Sequence, residues 1–276
     1  MLNDAFQAPL APLFVPGDRP ERFAKAAASG ADAVVLDLED AVAPAARAAA
    51  RAAVANHGID GVPVIVRINA TRTADFQADL AALREARFDA LMLAKAEAAI
   101  DIRLVHYLLG RQVPLIALVE TAGAFDDLAG LLREPGVVQA AFGSLDLALD
   151  LGCQPSWEAL AYFRGALVLQ SRLAGLAPPL DGVTTSFDDP AAVRQDALTA
   201  SGLGFGGKLA IHPRQVAPIR EAFLPDAKAV DWAQAVLAAA QSGAAVQLDG
   251  AMVDRPLIER ARRILSRSSV TGEKHP

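Results

Sequence analysis

The chain has 276 residues, of which 53% are hydrophobic, and its formal net charge is −6 from 26 basic and 32 acidic side chains. This length suits a single α/β barrel and can bury a sizeable core. The acidic balance gives no reason to expect a nucleic-acid partner, although a local basic cluster could still bind an anion. The single cysteine, Cys153, excludes an intramolecular disulfide.

The first twelve residues lack a basic segment followed by an apolar one, so we expect no signal peptide. The other apolar runs are too short and too often interrupted to form a membrane helix. Together with the lone cysteine, these features predict a cytoplasmic protein without a membrane partner.

Short apolar runs alternate along the chain with alanine-rich amphipathic stretches. Apolar strands separated by helices of ten or more residues are typical of a parallel sheet covered on both faces. Eight such runs favour a closed (β/α)₈ or TIM barrel, and an open flavodoxin-like α/β sheet is the alternative. The eight runs are 13–16, 33–37, 64–68, 90–94, 115–119, 139–142, 180–184 and 208–211.

Several helix boundaries follow from capping residues. Asp18 and Pro20 predict a helix over 22–29, which Gly30 ends. Asp189 and Pro190 predict another over 191–200. Further helices are expected over 155–174, 226–242 and 257–264.

The barrel is expected to be complete at residue 223. Residues 224–266 then form a C-terminal helical extension that is too small to fold alone, so we expect it to pack as a lid on its own barrel or on a neighbouring subunit. Residues 267–276 are polar and are expected to be a disordered tail.

Polar residues close nearly every predicted strand, although the strands themselves are apolar. In such barrels, ligand-binding and catalytic groups lie at the C-terminal ends of the strands, so we expect these side chains to meet at one rim. In chain order they are Gly17, Asp18, Arg19, Asp37, Glu39, Asp40, Arg67, Asn69, Lys95, Glu97, Glu120, Thr121, Gly143, Ser144, Asp146 and His212.

Glu120 and Asp146 follow neighbouring strands. Two carboxylates this close would repel each other without a cation between them, and one would be driven towards protonation. Mg²⁺ needs only one or two protein carboxylates, with waters and substrate oxygens as its other ligands. The alternative is that Asp146 caps a helix and Glu120 forms a salt bridge. The rim position favours the metal site, and the lack of a His or Cys cluster disfavours zinc.

Arg67 lies at a strand end and has a planar group suited to a substrate carboxylate. The alternative is a structural pair with Asp37 or Glu39. Glu39 and Asp40 could hold metal-bound waters or act as a base, or they could simply cap the following helix. The spacing does not separate these two interpretations.

Four further rim residues are candidates for substrate contact. Gly143 and Ser144 close the sixth run, beside the proposed metal ligands. Arg19 and Lys25 flank the first helix and could receive phosphates, although surface charge would also explain them. Lys95 could form a Schiff base, but the metal pair makes this redundant, and a buried ion pair with an acid such as Glu97 is expected instead.

The motifs together resemble the citrate lyase beta-subunit group of the HpcH/HpaI aldolase/citrate lyase family, which also holds malyl-CoA lyases. The resemblance extends in order from residue 13 to about 265. The segments that carry it are LFVPG at 13–17, LDLEDAV at 36–42, VRIN at 66–69, LVETA at 118–122 and IHP at 211–213.

The resemblance implies an Mg²⁺-dependent barrel that cleaves or forms a C–C bond next to a thioester. It implies that Glu120 and Asp146 bind the metal and that Arg67 binds the substrate's carboxylate or oxyanion. Glu39 and Asp40 would organise metal-bound waters. The implied ligands are an acyl-CoA thioester and a small 2-oxo acid.

It also implies that Arg19 and Lys25 lie where the CoA moiety approaches. Asp254, in the C-terminal lid, would act as an acid or base in the active site of a neighbouring subunit. This arrangement implies a homo-oligomer, a trimer or a dimer of trimers.

Two positions depart from the family pattern. Leu145 stands where many relatives carry an acid, and Ser186 stands where some carry an aspartate. Both lie near the predicted substrate mouth, so they leave the acyl substrate open. The alternatives are a metal-dependent aldolase for free 2-oxo-4-hydroxy acids and a malyl-CoA thioesterase or malate synthase-type activity. A non-catalytic barrel is disfavoured because Glu120, Asp146 and Arg67 are all present.

Overall fold

The computed structural model describes residues 6–241, 247–248, 251–252 and 254–269. Its centre is a parallel sheet of eight strands that pair in chain order. These are β1 Leu13–Pro16, β2 Val34–Asp37, β3 Val64–Ile68, β4 Ala90–Leu93, β5 Leu115–Val119, β6 Val137–Phe142, β7 Leu180–Asp181 and β8 Gly207–Lys208.

The sheet closes on itself because residues around β8 pair with residues around β1. Leu13 and Ala210 form a parallel bridge, and the amide of Phe14 donates to the carbonyl of Ala210 at 2.8 Å. The amide of Lys208 donates to the carbonyl of Leu10 at 2.8 Å. The predicted (β/α)₈ barrel is confirmed.

Helices lie between the strands and after them. They are α1 Phe23–Ala27, α2 Arg47–Ala55, α3 Asp75–Leu83, α4 Ala99–Leu109, α5 Leu128–Arg133, α6 Ser144–Leu151, α7 Trp157–Leu173, α8 Pro190–Leu203, α9 Val216–Phe223, α10 Ala227–Gln241 and α11 Arg255–Ser269. Short 3₁₀ turns occur at Pro20–Arg22, Pro44–Ala46, Ala122–Phe125 and Pro213–Gln215. No helix in the described part of the chain is long and apolar enough to cross a membrane.

The barrel interior is filled by side chains that alternate along the strands. Val35 and Ile65 are register partners on β2 and β3, and Met92 and Ile116 are partners on β4 and β5. All four are buried in one core cluster. Such layers make the interior a packed core, so open space for a ligand is left to the rim.

A buried charged group joins the last two strands to α7. Asp181 on β7 accepts from Arg164 Nε at 2.9 Å and from Lys208 Nζ at 2.8 Å. Lys208 Nζ also donates to the carbonyl of Gly182 at 2.7 Å. Because a charge buried without a partner is costly, these contacts hold the short β7 and β8 in place.

Most strand limits agree with the predicted runs, but the last two strands are shorter. β7 ends at Asp181 and β8 at Lys208, whereas the apolar runs continue to 184 and 211. Hydrophobicity alone does not show at which residue a strand stops pairing with its neighbours in the sheet. The first helix is also shorter than the predicted 22–29, because Arg22 belongs to a 3₁₀ turn and the helix already ends at Ala27.

The predicted start of α8 is present as a capped helix. The side chain of Asp189 accepts from the amide of Ala192 at 3.0 Å, and Pro190 occupies the first helical position. The helix ends at Gly204, whose φ of +111° is a conformation that glycine adopts at little cost. It therefore runs three residues beyond the predicted end at 200.

The described residues fall into two compact units that divide between Arg220 and Glu221. In the second unit, α10 and α11 pack around Ala233, Val236 and Ala261. β9 Gln247–Leu248 and β10 Ala251–Met252 form a small antiparallel pair between these helices in the chain.

The last helix is longer than the predicted 257–264 and runs to Ser269. Apolar side chains recur at Ile258, Ala261 and Leu265, and this spacing keeps one face against α10. The first three residues of the segment predicted to be a disordered tail are therefore helical. Residues 270–276 lie outside the described residues.

Candidate metal and substrate site

A cavity of about 310 Å³ opens at the C-terminal ends of the strands. Acidic and basic groups from several strands face it beside apolar side chains, as the rim argument predicts. Its lining residues are Phe14, Asp37, Asp40, Ala41, Arg67, Leu118, Glu120, Phe142, Gly143, Ser144, Leu145, Asp146, Val183, Leu209 and Ile211.

Glu120 follows β5 directly, and only 2% of its surface is exposed. The backbone amide of Lys95 donates to its Oε1 at 2.9 Å. Gly143 lies against its other side, where an added Cβ would come under 3.0 Å from the Glu120 side chain. The carboxylate is therefore held from both neighbouring strand ends and has little freedom to turn.

Burial raises the pKa of Glu120, and the nearby carboxylates of Glu39 and Asp146 raise it too, whereas Lys95 and Arg67 lower it; the balance is a pKa of about 8. A buried acid with such a pKa exchanges its proton near neutral pH. A divalent cation beside the carboxylate would stabilise its ionised form, because opposite charge favours ionisation.

Asp146 lies in the first turn of α6, which begins at Ser144 directly after β6. Its side chain is 34% exposed and faces the same cavity as Glu120. The amino end of a helix favours a negative charge, so the carboxylate is stable there without burial. The sequence thus correctly places both acids beside one cavity.

Arg67 forms an ion pair with Asp37, the structural alternative considered from the sequence, and it also lines the cavity. Its Nε and Nη2 donate to the two oxygens of Asp37, both at 2.7 Å, and its Nη1 lies 3.1 Å from Glu39 Oε2. The guanidinium also lies 4.8 Å from the ring centre of Phe14. Burial disfavours its charge, but the hydrogen bonds and charge of Asp37 outweigh this and raise the pKa of Arg67.

The acidic segment after β2 is shaped by Asp37. Its carboxylate accepts from the amides of Glu39 at 2.9 Å and Ala41 at 3.0 Å. Asn69 adds a side-chain bond to the carbonyl of Leu38 at 2.8 Å. Asp37 therefore has a structural role that the sequence does not distinguish from a catalytic one, since all three acids of this segment look alike.

Glu39 and Asp40 differ sharply in environment. Glu39 is buried, and burial raises its pKa although Arg67 and Lys95 oppose the shift. The side chain of Asp40 is 58% exposed and faces the cavity, 3.9 Å from Arg67 Nη1. Of the two predicted water-organising acids, Asp40 is the one that lines the cavity.

The expected ion pair between Lys95 and an acid is present, but the acid is Glu39 and not Glu97. Lys95 Nζ bonds Glu39 Oε1 at 2.5 Å, whereas Glu97 pairs with Arg72 at 2.5 Å and accepts from Thr121 Oγ1 at 2.9 Å. The backbone of Lys95 has a φ of +48°.

A second cavity of about 610 Å³ shares Phe14 and Ile211 with the first. Lys25 lines it together with Arg22 and Arg214. Sequence reasoning missed both arginines, although Arg22 lies one helical turn from Lys25 and Arg214 follows the eighth run.

Arg19 does not line either of these cavities, and its charge lies 3.8 Å from Asp18. Basic residues are thus present beside the site as expected, but Arg22 lines the second cavity where we expected Arg19. Gly143 and Ser144 line the first cavity as expected.

Asp254 belongs to the second unit, where its carboxylate accepts from the amide of Leu257 at 3.0 Å and caps α11. Asp is among the preferred residues at such a position. Within this chain, the described contact of the Asp254 carboxylate is therefore structural.

The residues of the first cavity fit a magnesium ion. Glu120 and Asp146 supply carboxylate oxygens, which Mg²⁺ prefers, and Gly143 leaves room beside Glu120 that a side chain would fill. In the described part of the chain, no three His, Cys, Asp or Glu side chains group to hold a metal. Mg²⁺ keeps waters and substrate oxygens as its other ligands, so two carboxylates are enough to hold it.

The fold and the site define a class of protein, a (β/α)₈ barrel with paired carboxylates at the ends of neighbouring strands. The model of the HpcH/HpaI aldolase/citrate lyase family matches residues 11–213. The chain belongs to this family, and the resemblance drawn from its motifs is confirmed.

The curated relatives include a citrate lyase subunit beta-like protein of Mycobacterium tuberculosis, 39% identical over 265 residues, which are 93% of this chain and 94% of the relative. A (3S)-malyl-CoA thioesterase of Cereibacter sphaeroides is 32% identical over 269 residues, 93% of each chain. Protein CitE of M. tuberculosis, solved with magnesium, acetoacetate and coenzyme A, matches with a TM-score of 0.85 and 37% identity, over 95% of this chain and 98% of CitE.

Proposed function

We propose that this protein is an Mg²⁺-dependent carbon–carbon lyase that acts on a 3-hydroxyacyl-CoA thioester of the citryl-CoA or malyl-CoA type. It would release a 2-oxo acid and an acyl-CoA by retro-aldol cleavage. The observation that carries the proposal is the meeting of Glu120, Asp146 and Arg67 on one cavity at the strand ends. Its support from relatives is the structure of CitE with magnesium and coenzyme A.

Retro-aldol cleavage leaves negative charge on the departing enolate and on the new 2-oxo acid. Arg67 has a fixed guanidinium at the cavity wall, held by Asp37, so it can bind an anion without first reorienting. Glu120 and Asp146 would hold Mg²⁺, which would act as a Lewis acid when bound. Asp40 faces the cavity and is exposed enough to order water there.

The substrate hydroxyl must lose a proton before the C–C bond breaks, so a base is needed. We assign this role to Asp254 of a neighbouring subunit in a homo-oligomer, a trimer or a dimer of trimers. The carboxylate is exposed in this chain, which leaves it accessible to a second copy. A mass measurement by light scattering tests the assembly, and a monomer under assay conditions would contradict this assignment.

The second cavity suits the phosphates of coenzyme A. Arg22, Lys25 and Arg214 line it, and it adjoins the first cavity through Phe14 and Ile211. A thioester could therefore lie with its acyl group at the carboxylates and its phosphates at the basic side chains. Arg19, the other basic residue that we expected here, is less favourably placed.

A malyl-CoA thioesterase is the second candidate, and the relative of that name at 32% identity favours it. The same carboxylates and Arg67 would bind the malyl group, and a base would activate water instead of the substrate hydroxyl. Leu145, which is 43% exposed at the cavity, and Ser186 leave this choice open. A third candidate, an aldolase for free 2-oxo-4-hydroxy acids, would have no use for the basic cavity.

One assay separates the three candidates. The protein is incubated with Mg²⁺ and malyl-CoA, β-methylmalyl-CoA, citramalyl-CoA or citryl-CoA, and products are identified by mass spectrometry. We expect a 2-oxo acid and a shortened acyl-CoA. Free CoA with the intact hydroxy acid would identify a thioesterase instead. Cleavage of free hydroxy-oxo acids without turnover of any thioester would contradict the proposed use of CoA.

A further inference from the structure

Three carboxylates beside the cavity share one ammonium group. Lys95 Nζ lies 2.5 Å from Glu39 Oε1, 4.0 Å from Glu120 Oε1 and 3.9 Å from Asp146 Oδ2. Among the ion pairs of the described residues, Lys95 is the basic partner of both Glu120 and Asp146. The lysine therefore supplies positive charge to the same two carboxylates that are proposed to hold the metal.

The backbone of Lys95 is also unusual. Its φ is +48°, and in the described part of the chain no other residue except glycine has a positive φ. A side chain makes this conformation costly, whereas glycine adopts it readily. The turn directs the amide of Lys95 to Glu120 Oε1 at 2.9 Å, and glycine would provide the same amide. The strain therefore persists because the lysine side chain adds something that glycine cannot.

What the Lys95 side chain adds, and glycine lacks, is a positive charge. Removing it would leave Glu39, Glu120 and Asp146 close together, with Arg67 already bound to Asp37 and Glu39. A unit charge about 4 Å from a carboxylate interacts strongly in a partly buried site, where salt screens little. The same charge repels a divalent cation that approaches these oxygens.

We propose that Lys95 is a tethered counterion that competes with Mg²⁺ for Glu120 and Asp146 and thereby sets the metal affinity of the site. This inference rests on the proposed metal role of the two carboxylates. It makes Lys95 a positioning residue, which holds the carboxylates in place before the metal binds and weakens the metal's attraction to them afterwards.

The test is a calorimetric Mg²⁺ titration of Lys95→Met without substrate, beside the wild-type protein. Methionine keeps the length of the side chain and the backbone strain but removes the charge. We expect Lys95→Met to bind Mg²⁺ about tenfold more tightly and to have a Tm several degrees lower in the presence of a chelator. Lys95→Gly, which also relieves the strain, should bind Mg²⁺ more tightly too and covers the case in which Lys95→Met fails to fold.

Arg72→Met is the matched control. It also removes one positive charge from the rim, but Arg72 pairs with Glu97 and not with a proposed metal ligand. Its Mg²⁺ affinity should stay within about twofold of wild type. If the wild-type protein binds Mg²⁺ and both Lys95 variants bind it equally or more weakly, the inference is overturned but the proposed metal site is not. A lack of Mg²⁺ binding by the wild-type protein and the Lys95 variants alike would overturn the metal site and the inference together.

Discussion

Asp254 combines a structural contact with a proposed catalytic role, and one substitution separates them. Its carboxylate caps α11 through the amide of Leu257. Asparagine caps a helix about as well as aspartate but cannot accept a proton as a base. We expect Asp254→Asn to keep the Tm and to lower kcat at least about 100-fold, measured with the thioester that the assay identifies.

The control for this prediction is Asp254→Ala. It should lose the same activity and, in addition, about 1 kcal/mol of stability, because alanine cannot cap the helix. If Asp254→Asn retained kcat within twofold of wild type, the carboxylate would be a helix cap alone and another group would be the base.

Arg67 and Lys95 are both basic residues of the site, but they differ in how their charge is held. Arg67 makes two parallel bonds to Asp37, which fix the plane of its guanidinium. Lys95 has a compact charge that can lie among three carboxylates without a fixed plane. The site thus has a rigid group suited to a planar anion and a point charge suited to balancing acids.

At the scale of elements, the turn between β6 and α6 sets the position of Glu120. The amide of Gly143 donates to the carbonyl of Val119 at 3.0 Å, so this residue lies directly beside Glu120. Its φ of −95° is open to any residue, and the constraint is therefore the close approach of the Glu120 side chain. The neighbouring strand end thus limits where the carboxylate can lie.

We expect Gly143→Ala to weaken Mg²⁺ binding at least about tenfold while the barrel stays folded, because the new methyl group displaces the Glu120 carboxylate. Calorimetry measures the affinity and circular dichroism the fold. Gly165→Ala is the control, since an added Cβ there meets nothing within 4 Å. Equal Mg²⁺ affinity in Gly143→Ala and wild type would show that the close contact between Gly143 and Glu120 does not affect metal binding.

At the scale of the whole molecule, burial of Glu120 links stability to pH. The pKa of Glu120 is raised from 4.5 to about 8, so the folded protein keeps a proton that the unfolded chain releases near pH 4.5. Stability in a chelator should therefore fall as pH rises from about 4.5 to about 8, by up to about 1.4 kcal/mol per pH unit for this one group.

Glu120→Gln isolates this contribution from those of other carboxyl groups. The free energy of unfolding of the wild type minus that of Glu120→Gln, from urea denaturation in a chelator, should decrease as pH rises through this range. Added Mg²⁺ should stabilise the wild type increasingly towards higher pH and should not stabilise Glu120→Gln. A difference that does not change with pH would contradict the raised pKa of Glu120.

Local patterns in the chain were enough to predict much of this protein. Apolar runs separated by amphipathic stretches predicted the parallel barrel, and all eight strands begin within two residues of the predicted positions. The strand-end rule placed Glu120 and Asp146 beside one cavity, because the carboxyl ends of parallel strands share a rim. The family followed from five short motifs in order.

Only the tertiary structure decided which charges pair, because these pairs join residues far apart in the chain. Lys95 bonds Glu39 across 56 positions, whereas its sequence neighbour Glu97 is bound by Arg72. No local pattern of side chains predicts this choice. The sequence by itself thus determined the barrel and the residues at its rim, since periodicity and strand ends are local properties. The environment of each rim charge was decided by folding, since burial and distance arise only when distant segments meet.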